Sequence, residues 1–248
     1  MVRSYVIAFW GPRAEPAAEA AGLLERFLHA LAAIDPALSG WRNAGMSKSE
    51  VLRQPLVIPD RAHLQTRLLD SRERNDYTGE PIEERGYSKY WVNGQADPAA
   101  NLSIRMAVTT PGSGNHIKLG LPDPITTPGI YSRSTARTLM HTFVEIFRPE
   151  SGVWGNRKLY KGQKEPDTPA EGGYRVGAVV GHEAGWANYL HDTDSAKFDP
   201  AMLPASATIE RIGDGTLVMV GDHPADPPMA DVLMVRAAMG YDVPTLNP

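Results

Sequence analysis

The sequence of 248 residues contains no cysteine. Disulfide bonds, thiolate metal ligands and cysteine nucleophiles are therefore excluded. Long hydrophobic runs are also missing. The apolar run from Tyr5 to Trp10 is shorter than a signal-peptide core, and no stretch approaches the roughly 20 apolar residues of a membrane span. Because the lack of cysteine also suits a reducing compartment, we expect a soluble, cytoplasmic protein with no membrane partner.

An excess of positive charge is absent too. The chain has 25 Lys and Arg residues against 29 Asp and Glu residues, which gives a formal net charge of −4 at pH 7. A protein that binds nucleic acid normally carries a basic patch or stripe. The charge balance therefore argues against a nucleic-acid partner, although it does not by itself indicate a basic one.

Motifs that mark common enzyme classes are missing. The chain has no Gly-x-Ser-x-Gly, no glycine-rich phosphate or dinucleotide loop, and no His-Glu-x-x-His. Ser113 lies between two glycines, but the chemistry of a turn explains it. His182-Glu183 lacks a second histidine, and the neighbours Glu83 and Glu84 do not face each other on a helix or strand. We therefore predict a protein that is not an enzyme and needs no cofactor.

The densest set of possible metal ligands is His191, Asp192 and Asp194, in the sequence HDTD. Alternating ligands of these types can converge at the end of a strand. The competing interpretation is a polar loop whose aspartates cap turns or are solvated, and we favour it because acidic clusters usually lie on the surface. A small metal-dependent hydrolase that uses these three residues remains the alternative function.

Hydrophobic periodicity predicts a strand followed by a helix at the start of the chain. Residues 3–10 form an apolar run that Gly11-Pro12 ends. Pro16 suits a first helical turn, and apolar residues then recur at helical spacing until Ile34. This opening is the clearest local pattern in the sequence.

The rest of the chain alternates between helical and hairpin patterns. Ser134 is interpreted as the N-cap of one helix, and Asp226 and Pro227 as the start of the last. The predicted helices cover 60–70, 134–147 and 227–239, the predicted strands 87–92 and 174–180, and the predicted hairpins 101–121 and 207–220. Because hairpins imply antiparallel pairing, we predict an α+β fold, with a mainly antiparallel sheet packed against about four helices.

The polar segment 161–173 is rich in Pro, Glu and Gly and is interpreted as a long loop. It is the only reasonable domain boundary, and we expect one domain over residues 1–248. Five tryptophans remain to be explained. Trp10 and Trp154 are interpreted as core residues, since tryptophan buries a large area. For the other three, the sequence does not decide between a role in the core and a role in binding: Trp41, Trp91 and Trp186.

Several segments together resemble one known family, the immunity protein 52 family of bacterial polymorphic toxin systems. They are Tyr5–Arg13, the helical stretch Leu23–Ile34 with Asp35-Pro36, Trp41, Leu119–Pro122, Phe147–Glu150 and Gly185–Leu190. The motifs are structural aromatics and turns, and the resemblance covers most of the chain. The polar segment 161–173 departs from it.

The resemblance implies a non-enzymatic antitoxin that binds and neutralises a cognate toxin. The toxins of this family are typically nucleases of the restriction-endonuclease type, often delivered by a type VI secretion system. An inhibitor of a cationic nuclease cleft could occupy it with carboxylates and anchor itself with aromatic rings, although it could also bind elsewhere and block access. The candidate toxin-binding residues are Glu80, Glu83, Glu84, Tyr87, Tyr189, Asp192 and Asp194. A scaffold subunit of a secretion assembly is a third hypothesis.

Overall fold

The centre of the protein is a nine-stranded sheet. The computed structural model describes residues 3–94, 99–170, 173–193 and 195–242. The strands are β1 (Ser4–Trp10), β2 (Arg42–Asn43), β3 (Tyr87–Val92), β4 (Asn101–Met106), β5 (Asn115–Gly120), β6 (Ser151–Asn156), β7 (Thr168–Ala170), β8 (Gly173–Arg175), β9 (Ala187–His191), β10 (Ala207–Ile212) and β11 (Gly215–Val220). The sheet has the order β10-β11-β9-β6-β1-β5-β4-β3-β2, and β7 pairs with β8 separately.

Six helices accompany the sheet in the described ranges. They are α1 (Ala17–Ile34), α2 (Lys48–Arg53), α3 (Arg61–Leu69), α4 (Arg133–Phe147), α5 (Arg157–Gly162) and α6 (Met229–Ala238). Four of them have nine or more residues. Every neighbouring pair of described strands is antiparallel. The predicted α+β class, with its mainly antiparallel sheet and about four helices, is confirmed.

The larger core lies on one face of the sheet, which we call the covered face. Alternate residues of β1, among them Trp10, point into it and meet α1 and α4. The Trp10 ring stacks on Phe147 at 5.9 Å between ring centroids, and Phe27 meets Phe143 edge-on at 4.8 Å. Edge-on and offset aromatic pairs stabilise a core beyond the area that they bury. This cluster joins the first strand, the first helix and α4.

A smaller core covers part of the opposite face, over β9 and β11. Strand alternation separates the two cores, because Tyr189 belongs to the larger core while its neighbour Leu190 belongs to the smaller one. Val232 and Val235 of α6 and Leu159 of α5 complete the smaller cluster. The helices α5 and α6 therefore pack at one end of a face that the larger helices do not cover.

The rest of that opposite face, over β1, β5, β4 and β3, is solvent-accessible and is called the open face below. Phe9 is 41% exposed and Tyr90 is 50% exposed there. An antiparallel sheet can present one face to water, so this arrangement is compatible with a stable fold.

Most of the predicted elements lie where the sequence placed them, but two helix starts differ. The helix α4 begins at Arg133, so its N-cap is Ser132, whose hydroxyl accepts from the Thr135 amide at 3.2 Å, and not Ser134. The helix α6 begins at Met229, after Pro228. A proline disfavours helical geometry in the residue before it, so Pro227 cannot readily begin the helix. Asp226 instead accepts from the Lys158 ammonium at 2.8 Å.

The sequence patterns did not predict two strands near the centre of the sheet, β6 and β9. All six residues of β6 are buried, and β9 is buried from Ala187 to Leu190, so neither alternates between polar and apolar residues. The predicted strand 174–180 continues in the structure only as far as Arg175. The polar segment 161–173 begins in the last turn of α5 and includes β7.

Candidate functional site

A cleft forms where the start of α1, the segment before β3 and the end of β4 meet. We call it the acidic cleft, because the carboxylates Glu15, Glu83 and Glu84 line it together with Arg72 and Tyr87. Its volume is about 430 Å³. Gly86 forms part of its wall with a positive φ of 62°, and a side chain there would collide with the backbone of β4. The close approach of the two chain segments therefore depends on glycine.

Glu15 is the most deeply placed carboxylate of the acidic cleft. Its side chain is 8% exposed, and its Oε1 accepts from the Arg13 guanidinium at 2.6 Å. Its Oε2 is buried and has no hydrogen-bond partner in the part of the chain that the structure describes. Burial, more than the Arg13 charge, sets the pKa of Glu15, which is raised above its usual value. A buried carboxylate oxygen without a donor is costly, and a donor supplied from outside would relieve that cost.

Arg72 connects the other side chains of the acidic cleft. It donates to Glu83 Oε1 at 2.7 Å and to the Tyr87 hydroxyl at 3.3 Å. The hydrogen bond to Tyr87 is the main reason why the pKa of Arg72 is raised. Its Nε is buried without an acceptor among the described residues. One arginine thus holds Glu83 at the mouth of the cleft and contacts the tyrosine in its wall.

The structure does not bring the seven predicted toxin-binding residues together. Glu80, Glu83, Glu84 and Tyr87 lie around the start of β3, whereas Tyr189 and Asp192 lie at β9. Five strand spacings separate β3 from β9 in the sheet, or roughly 24 Å at about 4.8 Å per strand. Of the seven, Glu83, Glu84 and Tyr87 line the acidic cleft, while Glu80 is exposed and follows a nearby turn. Asp194 lies outside the described residues.

The two tyrosines are buried and do not present exposed rings. Tyr87 is 3% exposed and Tyr189 is 2% exposed, and both belong to the larger core. Both residues lie at sheet positions that point into the covered face, where a ring packs between strand and helix. A partner therefore cannot reach most of either ring, so neither tyrosine offers the exposed aromatic anchor that was expected.

Residues of the HDTD segment already have partners. Asp192 accepts from both terminal nitrogens of Arg211, at 2.6 and 2.8 Å, and these hydrogen bonds lower the pKa of Asp192. His191 Nδ1 lies 2.9 Å from Thr193 Oγ1. Within the described ranges, no group of three or more His, Asp or Glu side chains could hold a metal ion. A metal at Asp192 would have to displace Arg211.

A second polar site is formed by Tyr5 and Glu183. The sequence did not predict it, because Glu183 stands out there only as the neighbour of His182. The Tyr5 hydroxyl lies 2.6 Å from each carboxylate oxygen of Glu183 and donates to that carboxylate. Burial raises the pKa of Glu183 to about 7. The two residues are 178 positions apart in sequence, so spacing gives no indication of the pair.

All five tryptophans lie in the core. Trp41, Trp91 and Trp186, for which the sequence left binding open, are at most 3% exposed. Trp186 packs edge-on against Trp154 with 5.7 Å between ring centroids. The tryptophans therefore stabilise the fold and are not available as surface anchors.

Among the helices of the described residues, none is long and apolar enough to span a membrane.

Comparison with known proteins identifies a family and a solved structure of similar fold. The family model described as "Immunity protein 52" matches residues 3–224, nearly the whole chain. The solved structure of the Pseudomonas aeruginosa T6SS protein PA0821 is similar with a TM-score of 0.58 at 13% identity, covering 97% of this chain and 73% of that chain. At this identity the similarity concerns the fold. A search of curated proteins found no match.

Proposed function

We propose that this chain, which belongs to the immunity protein 52 family, is a non-enzymatic antitoxin that binds and neutralises a cognate toxin. The observation that carries the proposal is the family match over residues 3–224, which includes the buried residues of the larger core and the acidic cleft. Because neutralisation by an immunity protein is a binding function, it needs surface complementarity and no catalytic group of the immunity protein itself.

The toxin is proposed to be a nuclease of the restriction-endonuclease type, delivered by a type VI secretion system. The nuclease assignment follows from the toxins with which this family is typically paired. The delivery route has support from PA0821, a T6SS protein whose fold this chain resembles. The site of action is proposed to be the cytoplasm, where a nuclease would meet its substrate.

The acidic cleft is proposed as one contact for a cationic side chain of the toxin. Glu15 offers a buried oxygen that lacks a donor in the described structure, while Glu83 and Glu84 lie at the rim. A Lys or Arg from the partner would satisfy that oxygen and would lower the raised pKa of Glu15 by its charge. The cost of burying Glu15 in the free protein would then be recovered in the complex. Asp192 is proposed as a separate and weaker contact, because Arg211 already neutralises it.

The experiment that tests this function uses the full-length chain and the product of the gene next to it. We expect a stable complex in size-exclusion chromatography and restored growth of cells that express the toxin gene. The E83Q/E84Q variant should weaken binding about tenfold in calorimetry, since rim charges mainly affect steering and close pairs. E145Q is a control for the loss of an exposed carboxylate away from the cleft, because Glu145 on α4 is 68% exposed.

Two results would count against the proposal in different ways. If no complex forms and growth is not restored, the antitoxin function is wrong. If the complex forms but E83Q/E84Q binds as tightly as E145Q, the function stands and the acidic cleft is not the contact.

A further inference from the structure

The open face carries a regular arrangement of aromatic and cationic side chains. Strand register places Phe9, His116, Arg105 and Ser88 in one row across β1, β5, β4 and β3. The next row contains Ile7, Lys118, Ser103 and Tyr90, and the third contains Tyr5, Gly120, Asn101 and Val92. None of these twelve positions is Asp or Glu, in a chain with more acidic than basic residues. The local charge of the open face is therefore opposite to that of the whole chain.

Several cations of the described residues lie on this face or at its border, and four of them matter here. Arg105 and Lys118 lie in the rows, and Arg3 and Arg157 line a groove beside β1 of about 510 Å³ together with Tyr5, Phe9 and Tyr160. None of the four forms an ion pair with a carboxylate of the described residues. By contrast, arginines elsewhere, such as Arg133 and Arg211, pair with a carboxylate at 2.6 Å.

Among the described residues that line the groove, Glu183 is the one carboxylate, and it forms no ion pair with these cations, although the charge of Lys118 acts on it. Glu183 accepts a hydrogen bond from Tyr5, and burial raises its pKa to about 7. Lys118 lies over the Tyr5 ring, with its Nζ 4.2 Å from the ring centroid. Burial, and then the charges of Arg105 and Lys118, lower the pKa of His116. The positive charge of the open face thus comes from arginine and lysine side chains that form no ion pair with a described carboxylate.

A solvated sheet face is the simpler interpretation, since antiparallel sheets are often polar on one side. Two features favour a binding surface. Exposed Phe9 and Tyr90 flank the cations, and aromatic and arginine side chains are the residue types that dominate interface energies. Moreover, solvated faces usually mix both signs of charge, whereas the rows here have one sign only.

We propose that the open face is a docking surface for a carboxylate-bearing surface of the toxin. The proposal rests on the proposed function for the identity of the partner, and on the charge and aromatic content of the face for its chemistry. Acidic side chains of the partner would pair with Arg105 and Lys118 while Phe9 and Tyr90 pack against apolar groups between them. Charge complementarity of this kind raises association rates and selects the partner.

The test compares single charge reversals in the full-length chain, with the product of the neighbouring gene as the binding partner. R105E and K118E should each raise the Kd about 10- to 100-fold, as expected for close interfacial charge pairs. R148E changes the charge by the same amount at the exposed end of α4, which packs on the covered face, and should leave the Kd within about threefold. The wild-type association rate should fall as salt is added. Tyr90→Ala tests the same surface without a charge change, and circular dichroism confirms folding of each variant.

Each other result contradicts the proposal. A complex that R105E, K118E and Tyr90→Ala all leave intact would show that the open face is not the contact, while the antitoxin function stands. Absence of any complex would contradict the function and the surface together. If the chain alone is a dimer that R105E dissociates, the face binds a second copy. If it binds a DNA oligonucleotide as tightly as the toxin, and R105E abolishes that binding, the face recognises phosphates instead.

Discussion

The two faces of β1 carry residues from the same seven-residue strand but differ in what surrounds them. Trp10 points into the covered face, is 3% exposed and stacks on Phe147. Its neighbour Phe9 points to the open face and is 41% exposed. Alternation of side chains along a strand makes this difference unavoidable once one face is covered by helices. Hydrophobicity alone therefore does not tell whether an aromatic residue of this strand stabilises the fold or is available for binding.

The two proposed contact regions differ in a similar way. In the acidic cleft, Arg72 already pairs with Glu83 and Arg13 with Glu15, so much of the charge is balanced within the chain. On the open face, Arg105 and Lys118 form no ion pair with a described carboxylate. A partner gains more from charges that the free protein leaves unpaired, because no internal pair has to be broken. This comparison favours the open face as the larger contribution to affinity.

The largest expected effect separates the two faces of β1 by stability. Trp10→Ala should lower the free energy of unfolding by about 3–5 kcal/mol, because it leaves a cavity against Phe147. Phe9→Ala should cost about 1 kcal/mol or less, because part of the ring is already in water. Urea denaturation followed by circular dichroism measures both. Equal losses for the two variants would mean that the open face is covered in solution.

The next largest effect is the pH dependence of the free energy of unfolding that Glu183 causes. This residue borders the open face. Its pKa is about 7 in the folded protein against a usual value of 4.5. Between these values the folded state binds more protons than the unfolded state, so this group's stabilisation is complete below about pH 4.5 and is lost as pH rises through about 7. The loss amounts to roughly 2–4 kcal/mol. Glu183→Gln should remove it.

The measurement is the free energy of unfolding at a series of pH values from 5 to 8 for both proteins. Other titrating groups are common to both, so the difference between the two curves isolates Glu183. Parallel curves would show that Glu183 is not held in a raised-pKa environment, and that the groove beside β1 is more open to water than its burial indicates.

The smallest effect tests the helix that covers β1. Ser132→Ala removes the hydroxyl that accepts from the Thr135 amide at the start of α4, and should cost about 1 kcal/mol. Ser134→Ala should change the stability by less than about 0.5 kcal/mol, since this residue lies inside the first turn. Thermal unfolding of the two variants gives the ranking. A larger loss for Ser134→Ala would restore the helix start that the sequence suggests.

Local patterns in the sequence predicted the helices and strands that have one polar and one apolar side. The helix α1 and the hairpins β4–β5 and β10–β11 have a polar and an apolar side, and their periodicity is visible in the sequence. The strands β6 and β9 lie at the centre of the sheet and are buried on both faces, so they lack that alternation. Burial on two sides removes the very pattern by which a strand is found.

The sequence by itself determined the class of fold, the absence of thiol chemistry and, through the family resemblance, the kind of function proposed. Because Glu83, Glu84 and Tyr87 are neighbours in the chain, they also lie in one region of the structure whatever the fold. Only the tertiary structure decided which side of β1 meets helices, that Tyr87 and Tyr189 are buried, and that Tyr5 pairs with Glu183. These facts depend on contacts between residues far apart in sequence, which form when the sheet and helices pack, and no local pattern encodes them.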